Sequence, residues 1–267
     1  KGMVVSGLSL DEALKELGIV PDVQGNDALW LHRTSGNADW YFVTAPEGRS
    51  FEGELSFRSQ GYAEIWNPVT GEIILADSRM EGDRTHVRLD LLPSESCFVV
   101  FQKESFFGKY KEKQMVSSVP LTQNWTLHYP QGWGAPASIE ITELKPWKDL
   151  NVSDEGRAFS GTVRYETQVD ISKEEEKQYI LDLGKVDMIA SVSVNGKPLR
   201  TLWSVPYRLD ITNELRDGTN QFCIEVTSTW FNRLVYDASL PDPERKTWVI
   251  KRPSKDEPLR DSGLIGP

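Results

Sequence analysis

Cysteine, histidine and methionine are scarce in this chain, with two, three and four copies among 267 residues. Cys97 and Cys223 stand far apart, which excludes a disulfide framework and a Cys-x-x-Cys metal motif. Each lies in a strand-like run, Cys97 to Phe101 and Gln221 to Val226. Two buried free thiols are therefore expected, since unpaired cysteine behaves as a small hydrophobe. His32, His86 and His128 share no ligand spacing, so neither a metal site nor a catalytic triad is read from them. No Lys/Arg run could track a phosphate backbone, and 40 acidic against 30 basic side chains leave a net charge of -10. Nucleic acid is not an expected partner. Nor is a membrane: no stretch reaches the roughly 18 apolar residues of a span. The longest candidate, Leu89 to Phe101, is broken by Asp90, Pro93 and Glu95. The opening residues, Lys1 to Val5, carry no apolar leader, and no secretory signal is read there. Dinucleotide, phosphate-loop, zinc-protease and nucleophile-elbow motifs are all missing.

What the chain does have is short β periodicity and aromatic rings. Its first pattern, however, is a helix from Ser9 to Leu17. Ser9 caps it, Glu12 completes a capping box, and Leu10, Ala13, Leu14 and Leu17 form one stripe ended by Gly18. A helix this short needs something to pack on, so an apolar face is expected around Leu10, Leu14, Leu17 and Ile19.

From Leu29 to Phe101 the period falls to two. Strands are expected at Asp39–Thr44, Gly53–Arg58, Ala63–Trp66, Glu72–Ala76, Thr85–Leu91 and Ser96–Phe101, punctuated by Pro/Gly/Asn/Asp turns. That spacing describes an antiparallel sandwich. Residues 103–120, with alternating Lys109, Lys111 and Lys113, fit a linker or an exposed edge strand. The domain boundary is placed near residue 118. Beyond it, strands are expected at Trp125–Tyr129, Ser138–Glu143, Gly161–Val169, Gln178–Leu183, Ile189–Val194, Tyr207–Ile211, Asn220–Val226 and Lys246–Lys251. Asn195-Gly196 is the strongest hairpin signal in the chain. Eight short strands with long connections suit a two-sheet jelly roll. The fold class is thus all-β, with a helical segment over 1–25, a sandwich over 26–118 and a jelly roll over 119–267.

Chemistry is harder to find. A glycosidase needs two carboxyl groups about 5 to 9.5 Å apart, and no pair is nominated by spacing. The run Lys173 to Lys177 reads as a solvated loop, while Asp149, Asp154 and Glu155 suit capping, calcium binding or no role. Nine Trp and eight Tyr in a β chain point to sugar stacking, because sugar C–H faces pack on rings while hydroxyls seek forked donors. Trp203, Tyr207 and Arg208 form one candidate carbohydrate-binding cluster, and Trp230, Asn232 and Arg233 another. The same rings suit the core and the sheet ends, and for Trp203 and Trp230 that is the favoured reading.

Phe159-Ser-Gly-Thr-Val-Arg-Tyr-Glu-Thr167, Leu181-Asp-Leu-Gly-Lys-Val186, Ser193-Val-Asn-Gly-Lys197, Leu202-Trp-Ser-Val-Pro-Tyr-Arg-Leu-Asp-Ile-Thr212 and Asp217-Gly-Thr-Asn220 together resemble the sugar-binding, galactose-binding-like jelly roll of family 2 glycoside hydrolases. The continuation, Val226 to Asp237 and Ser262 to Pro267, resembles more closely the C-terminal region of family 106, the α-L-rhamnosidases of polysaccharide-degrading bacteria. Trp30-Leu-His-Arg33, Asp39 to Val43, Leu55 to Gly61, Glu64 to Glu72 and Leu91 to Ser96 are similar to the sandwich that follows the catalytic barrel there, and the leading helix with Gly18 to Asp22 to the exit from that barrel. Ser228 stands where that family usually has Asn.

The resemblance implies a parent enzyme using a carboxylate pair and calcium, with its catalytic groups in a barrel and none mapping onto this chain. It implies a non-catalytic accessory region partnered by the catalytic domain of the same polypeptide and by plant or host glycans. It also implies a secreted, periplasmic or outer-surface location in a bacterium. A structural calcium stays open, and no other cofactor is expected. Three alternatives stay open as well: an independent carbohydrate-binding module, an accessory domain of the β-galactosidase/β-glucuronidase type, and a compact hydrolase drawing its acids from distant loops.

Overall fold

The computed structural model describes residues 4–25, 27–102 and 116–266. Of the linker or edge strand expected at 103–120, residues 103–115 lie outside them and 116–120 form no strand. The chain divides into two compact units, Lys1–Met115 and Val116–Pro267.

The first unit opens with α1 (Leu10–Glu16). Ser9 Oγ accepts from Glu12 N, and the Glu12 carboxylate accepts from Ser9 N at 2.8 Å, forming the capping box read in the sequence. Capping satisfies the helix end but buries nothing. No residue of α1 is buried, and Leu10, Leu17, Ile19 and Val20 are exposed. The apolar face is open, as the stripe implied.

Two antiparallel sheets follow. One takes β1 (Val23–Gln24), β4 (Phe51–Phe57), β8 (Arg84–Leu91) and β7 (Ser78–Glu81) in that order. The other takes β2 (Leu29–Ser35), β3 (Ala38–Thr44), β9 (Ser96–Gln102), β5 (Tyr62–Trp66) and β6 (Ile73–Leu75). Alternation drives the sandwich. On β8, Thr85, Val87, Leu89 and Leu91 are buried, and they share one core with Leu55, Phe57, Tyr41, Val43, Val99 and Phe101. Two details depart from the sequence pattern. Val23 pairs with Phe57 although it lies in the segment read as helical, because Gly25, at φ 135°, lets the chain lie against Leu55. The run expected as one strand at Glu72–Ala76 is the three-residue β6, after which the chain crosses to the other sheet as β7.

His32 on β2 sits between two carboxylates. Its Nδ1 is 2.9 Å from Asp22 and its Nε2 3.0 Å from Asp39, while its ring stacks on Tyr41 at 4.2 Å. It is thus a structural clasp between the chain before β1 and the sheet.

The second unit is built on a six-stranded sheet. Its order is β11 (Ser138–Ile141), β10 (Trp125–His128), β12 (Thr162–Ile171), β18 (Gly218–Thr227), β15 (Ile189–Val194) and β16 (Lys197–Leu202). Two short pairs, β13 (Ile180–Asp182) with β17 (Arg208–Asp210) and β14 (Lys185–Asp187) with β19 (Gly263–Gly266), join it around one core. That core contains Leu127, Trp147, Phe159, Tyr165, Val192, Leu209, Ile224 and Leu264. Asn195, at φ 53°, and Gly196, at φ 76°, form the β15–β16 turn, which explains why that dipeptide was so legible. Two short helices complete the unit, α2 (Asp154–Arg157) and α3 (Phe231–Ala238).

The expected strand at Lys246–Lys251 is not a strand. Lys246 N and Thr247 N both donate to Asp237 Oδ2, at 3.0 and 2.7 Å, so the backbone is spent on a helix side chain and not on a ladder. Trp248 and Ile250 consequently stand in solvent. The sequence pattern also missed α3 and β19.

Cys97 is buried and Cys223 half-buried, both free. Burial pushes the Cys97 thiol up to about 12 and raises that of Cys223. An Ellman-type reagent at neutral pH is therefore expected to leave Cys97 untouched and to label Cys223 slowly, with two thiols per chain reacting promptly in denaturant.

Candidate carbohydrate-contacting end of the second unit

Strand register decides which loops meet. Thr162 is opposite Thr227, Thr227 opposite Ile189, Ala190 opposite Leu202, and His128 opposite Arg164. The loops after β10, before β12, after β18, before β15 and after β16 therefore emerge at one end of the sheet. Trp203 is the residue after β16, and Trp230 lies three residues beyond β18. The structure thus brings these two predicted rings to the same end, with Ile189 on the strand between them. Trp203 is 68% and Trp230 49% exposed, so neither fills the core. Trp133, in the loop after β10, packs on Trp230 with centroids 5.7 Å apart.

The other four candidates are committed internally. Tyr207 is buried, and its hydroxyl donates to Met188 O at 2.7 Å. Arg208 is exposed on β17, with Nε donating to Asp182 Oδ2 at 2.7 Å. Asn232 is buried, donating to Arg260 O at 2.9 Å and to Ser262 Oγ at 3.1 Å while accepting from Arg260 N at 2.8 Å. It fastens α3 to the segment leading into β19.

Arg233 is wholly buried. One guanidinium nitrogen donates to Glu155 Oε1 at 2.7 Å, and the other stands 2.7 Å from Asp237 Oδ1 as an ion pair without hydrogen-bond alignment. The same group lies 5.2 Å from the Trp133 ring and 5.1 Å from Tyr236. Lys246 closes the network by pairing with Glu155 at 2.6 Å. Sequence reasoning overlooked Trp133, Asp237 and Lys246. One signal was present: Arg233 and Asp237 are four apart, the spacing that puts opposite charges on one helix face.

Burial alone would raise the carboxyls of Asp237 and Glu155. Hydrogen bonds from Thr247 and the charge of Arg233 at Asp237, and hydrogen bonds and charge from Lys246 and Arg233 at Glu155, outweigh it and hold both below the usual range. Two carboxylates pinned to one guanidinium fix loops in place, and neither is free to attack a glycoside. Each contributes stability above the ordinary carboxyl pKa of about 4, and that contribution is lost as pH falls through the lower folded values. Asp187 opposes them: burial raises its pKa, so its contribution is present at low pH and is lost as pH rises through the raised folded value. The expected result is a melting temperature of this unit that drops below about pH 4, with a flatter acid limb in Asp237→Asn.

Asp149, Asp154 and Glu155 do not gather as ligands. Among the described residues no three His, Cys, Asp or Glu side chains are placed to hold a metal ion, and Glu155 is engaged by Arg233 and Lys246. These residues do not fit a structural calcium. Among the described residues no helix is long and apolar enough to cross a membrane.

Residues 1–77 match the α-L-rhamnosidase family model, and residues 146–260 match that of the glycosyl hydrolase 2 galactose-binding domain-like family. The fold superposes on a rhamnosidase from Novosphingobium sp. PP1Y with a TM-score of 0.81 and 33% identity, covering 97% of this chain and 25% of that one. The chain resembles the β region of a rhamnosidase. A curated Formosa agariphila protein, named provisionally a beta-glucuronidase, is 38% identical over 184 residues, or 57% of this chain and 16% of the relative. The chain therefore spans a quarter or less of the proteins it matches. The matches to a rhamnosidase and to a galactose-binding-like β domain fit an accessory β region of a glycoside hydrolase.

Proposed function

We propose that the chain is the non-catalytic accessory β region of a larger bacterial glycoside hydrolase, rhamnosidase-like, acting outside the cytoplasm and buttressing the catalytic domain of the same polypeptide. The observation that carries this reading is the superposition of nearly the whole chain on a quarter of a rhamnosidase. The open apolar face of α1 adds support, because an unpartnered stripe marks a contact surface. So does the ion-pair network under Trp230, which fixes loops and offers no free acid.

A second reading has its own observation. Trp203 and Trp230 are exposed at one end of the second unit, which favours glycan contact there in addition to the buttress. In the proposed longer polypeptide, deletion of the whole 267-residue region tests the first reading. A truncated enzyme is expected to lose soluble yield and melt earlier, with any residual turnover showing an unchanged pH profile. A truncated enzyme as stable and active as the whole would sink the buttress.

A further inference from the structure

The first unit holds a cleft of about 410 Å³, lined by Gly61, Tyr62, Ala63, Leu75, Ala76, Asp77 and Ser78. It opens where β5 begins and where the chain leaves β6 to cross to β7. Three of its residues are as small as residues come. Gly61 has no alternative, since at φ 129° its Cβ would stand 2.5 Å from Gln102 O. Tyr62 is 54% exposed. Among the described residues nothing hydrogen-bonds its hydroxyl, the Asp77 carboxylate or the Ser78 hydroxyl.

We propose that this cleft binds a neutral pyranose ring. Its volume lies within the range of small-ligand sites, about 300 to 1,000 Å³. An exposed phenol ring beside a floor of Gly and Ala offers the apolar C–H face of a sugar a flat seat. A carboxylate and a hydroxyl, both free, supply the acceptors and donor that sugar hydroxyls need. The carboxylate also selects, because it repels a uronate in the same place. A peptide strand is a poorer occupant. Ala76 N already donates to Ala63 O and Asp77 O accepts from Arg88 N, and between β6 and β7 the chain passes from one sheet to the other, so no continuous strand edge runs across the cleft. The site rests on the accessory reading only for the presence of glycan nearby, and its failure would leave the truncation result untouched.

Amide chemical shifts of the ¹⁵N-labelled chain, titrated with methyl α-L-rhamnopyranoside, methyl β-D-glucopyranoside and methyl β-D-glucuronide, test the proposal. Saturable shifts at Gly61, Tyr62, Ala76, Asp77 and Ser78 are expected with at least one of the neutral sugars, and about tenfold weaker binding of the uronide. Tyr62→Ala should weaken neutral-sugar binding about tenfold, the weight of one stacking contact, whereas Tyr62→Phe should preserve it. Asp77→Asn should narrow the gap to the uronide. Peaks away from the cleft report that each variant is folded. An absence of saturable shifts with both neutral sugars, or binding indifferent to Tyr62→Ala, overturns the site.

Discussion

Asp237→Ala is expected to destabilise the second unit by about 3 to 5 kcal/mol, because it strands a buried guanidinium beside a single remaining partner. Asp237 is itself wholly buried and ties α3 to the segment at Lys246 and Thr247. It pairs with Arg233 within α3, and its other oxygen accepts from Lys246 N, Thr247 N and, at 2.6 Å, the Thr247 hydroxyl. Removal frees the 246–247 backbone and leaves Arg233 on Glu155 alone. Replacing both charges, as Arg233→Met with Asp237→Leu, should cost far less than the sum of the single changes, since a buried ion pair is weak net support but expensive to break. Urea unfolding followed by tryptophan fluorescence reads both. A single-site loss below about 1 kcal/mol would show that water reaches this network.

Gly263→Ala should be as severe. Gly263 sits at φ 105°, and its Cβ would meet Trp147 Nε1 at 2.5 Å and the Tyr165 hydroxyl at 2.8 Å. Those groups cannot give way. Trp147 and Tyr165 are fully buried, the indole donates to the phenol oxygen at 2.6 Å, and the same oxygen accepts from Leu264 N at 3.1 Å. Burial pushes the phenol up to about 12, so it stays a neutral hub at any working pH. Backbone strain and overpacking, each about 1 to 3 kcal/mol, predict a loss of several kcal/mol in the same urea experiment. Tyr165→Phe probes the latch without a clash. It leaves Trp147 Nε1 and Leu264 N unpaired in the core, at about 1 to 3 kcal/mol each. Wild-type stability in Gly263→Ala would mean that β19 is not seated against Trp147.

These two latches also show where the sequence was readable. The sandwich strands announce themselves because one face is buried and the other wet, as Thr85, Val87, Leu89 and Leu91 alternate with polar neighbours. Asn195-Gly196 is legible because few dipeptides accept positive φ at both positions. Gly263 to Gly266 carries no alternation, and only its pairing with β14 makes it a strand. Lys246 to Lys251 has the composition of a strand, yet Asp237 takes its amides, a competition that no local pattern records. The predicted rings divide for the same reason. Trp203 and Trp230 look alike in sequence to Tyr207, but register carries them past the strand ends while the Tyr207 hydroxyl turns in to Met188. Asn232 and Arg233 have the forked donors of a sugar site, and the helix they sit on points them into the unit.

The proposed accessory role requires that this chain have no glycosidase activity of its own. Incubation of the purified chain with 4-nitrophenyl α-L-rhamnopyranoside, β-D-galactopyranoside and β-D-glucuronide, with release of nitrophenol followed for hours, tests it most directly. No release above the enzyme-free rate is predicted for any of the three. Turnover that saturates with substrate and is lost in an Asp or Glu variant of this chain would contradict the account.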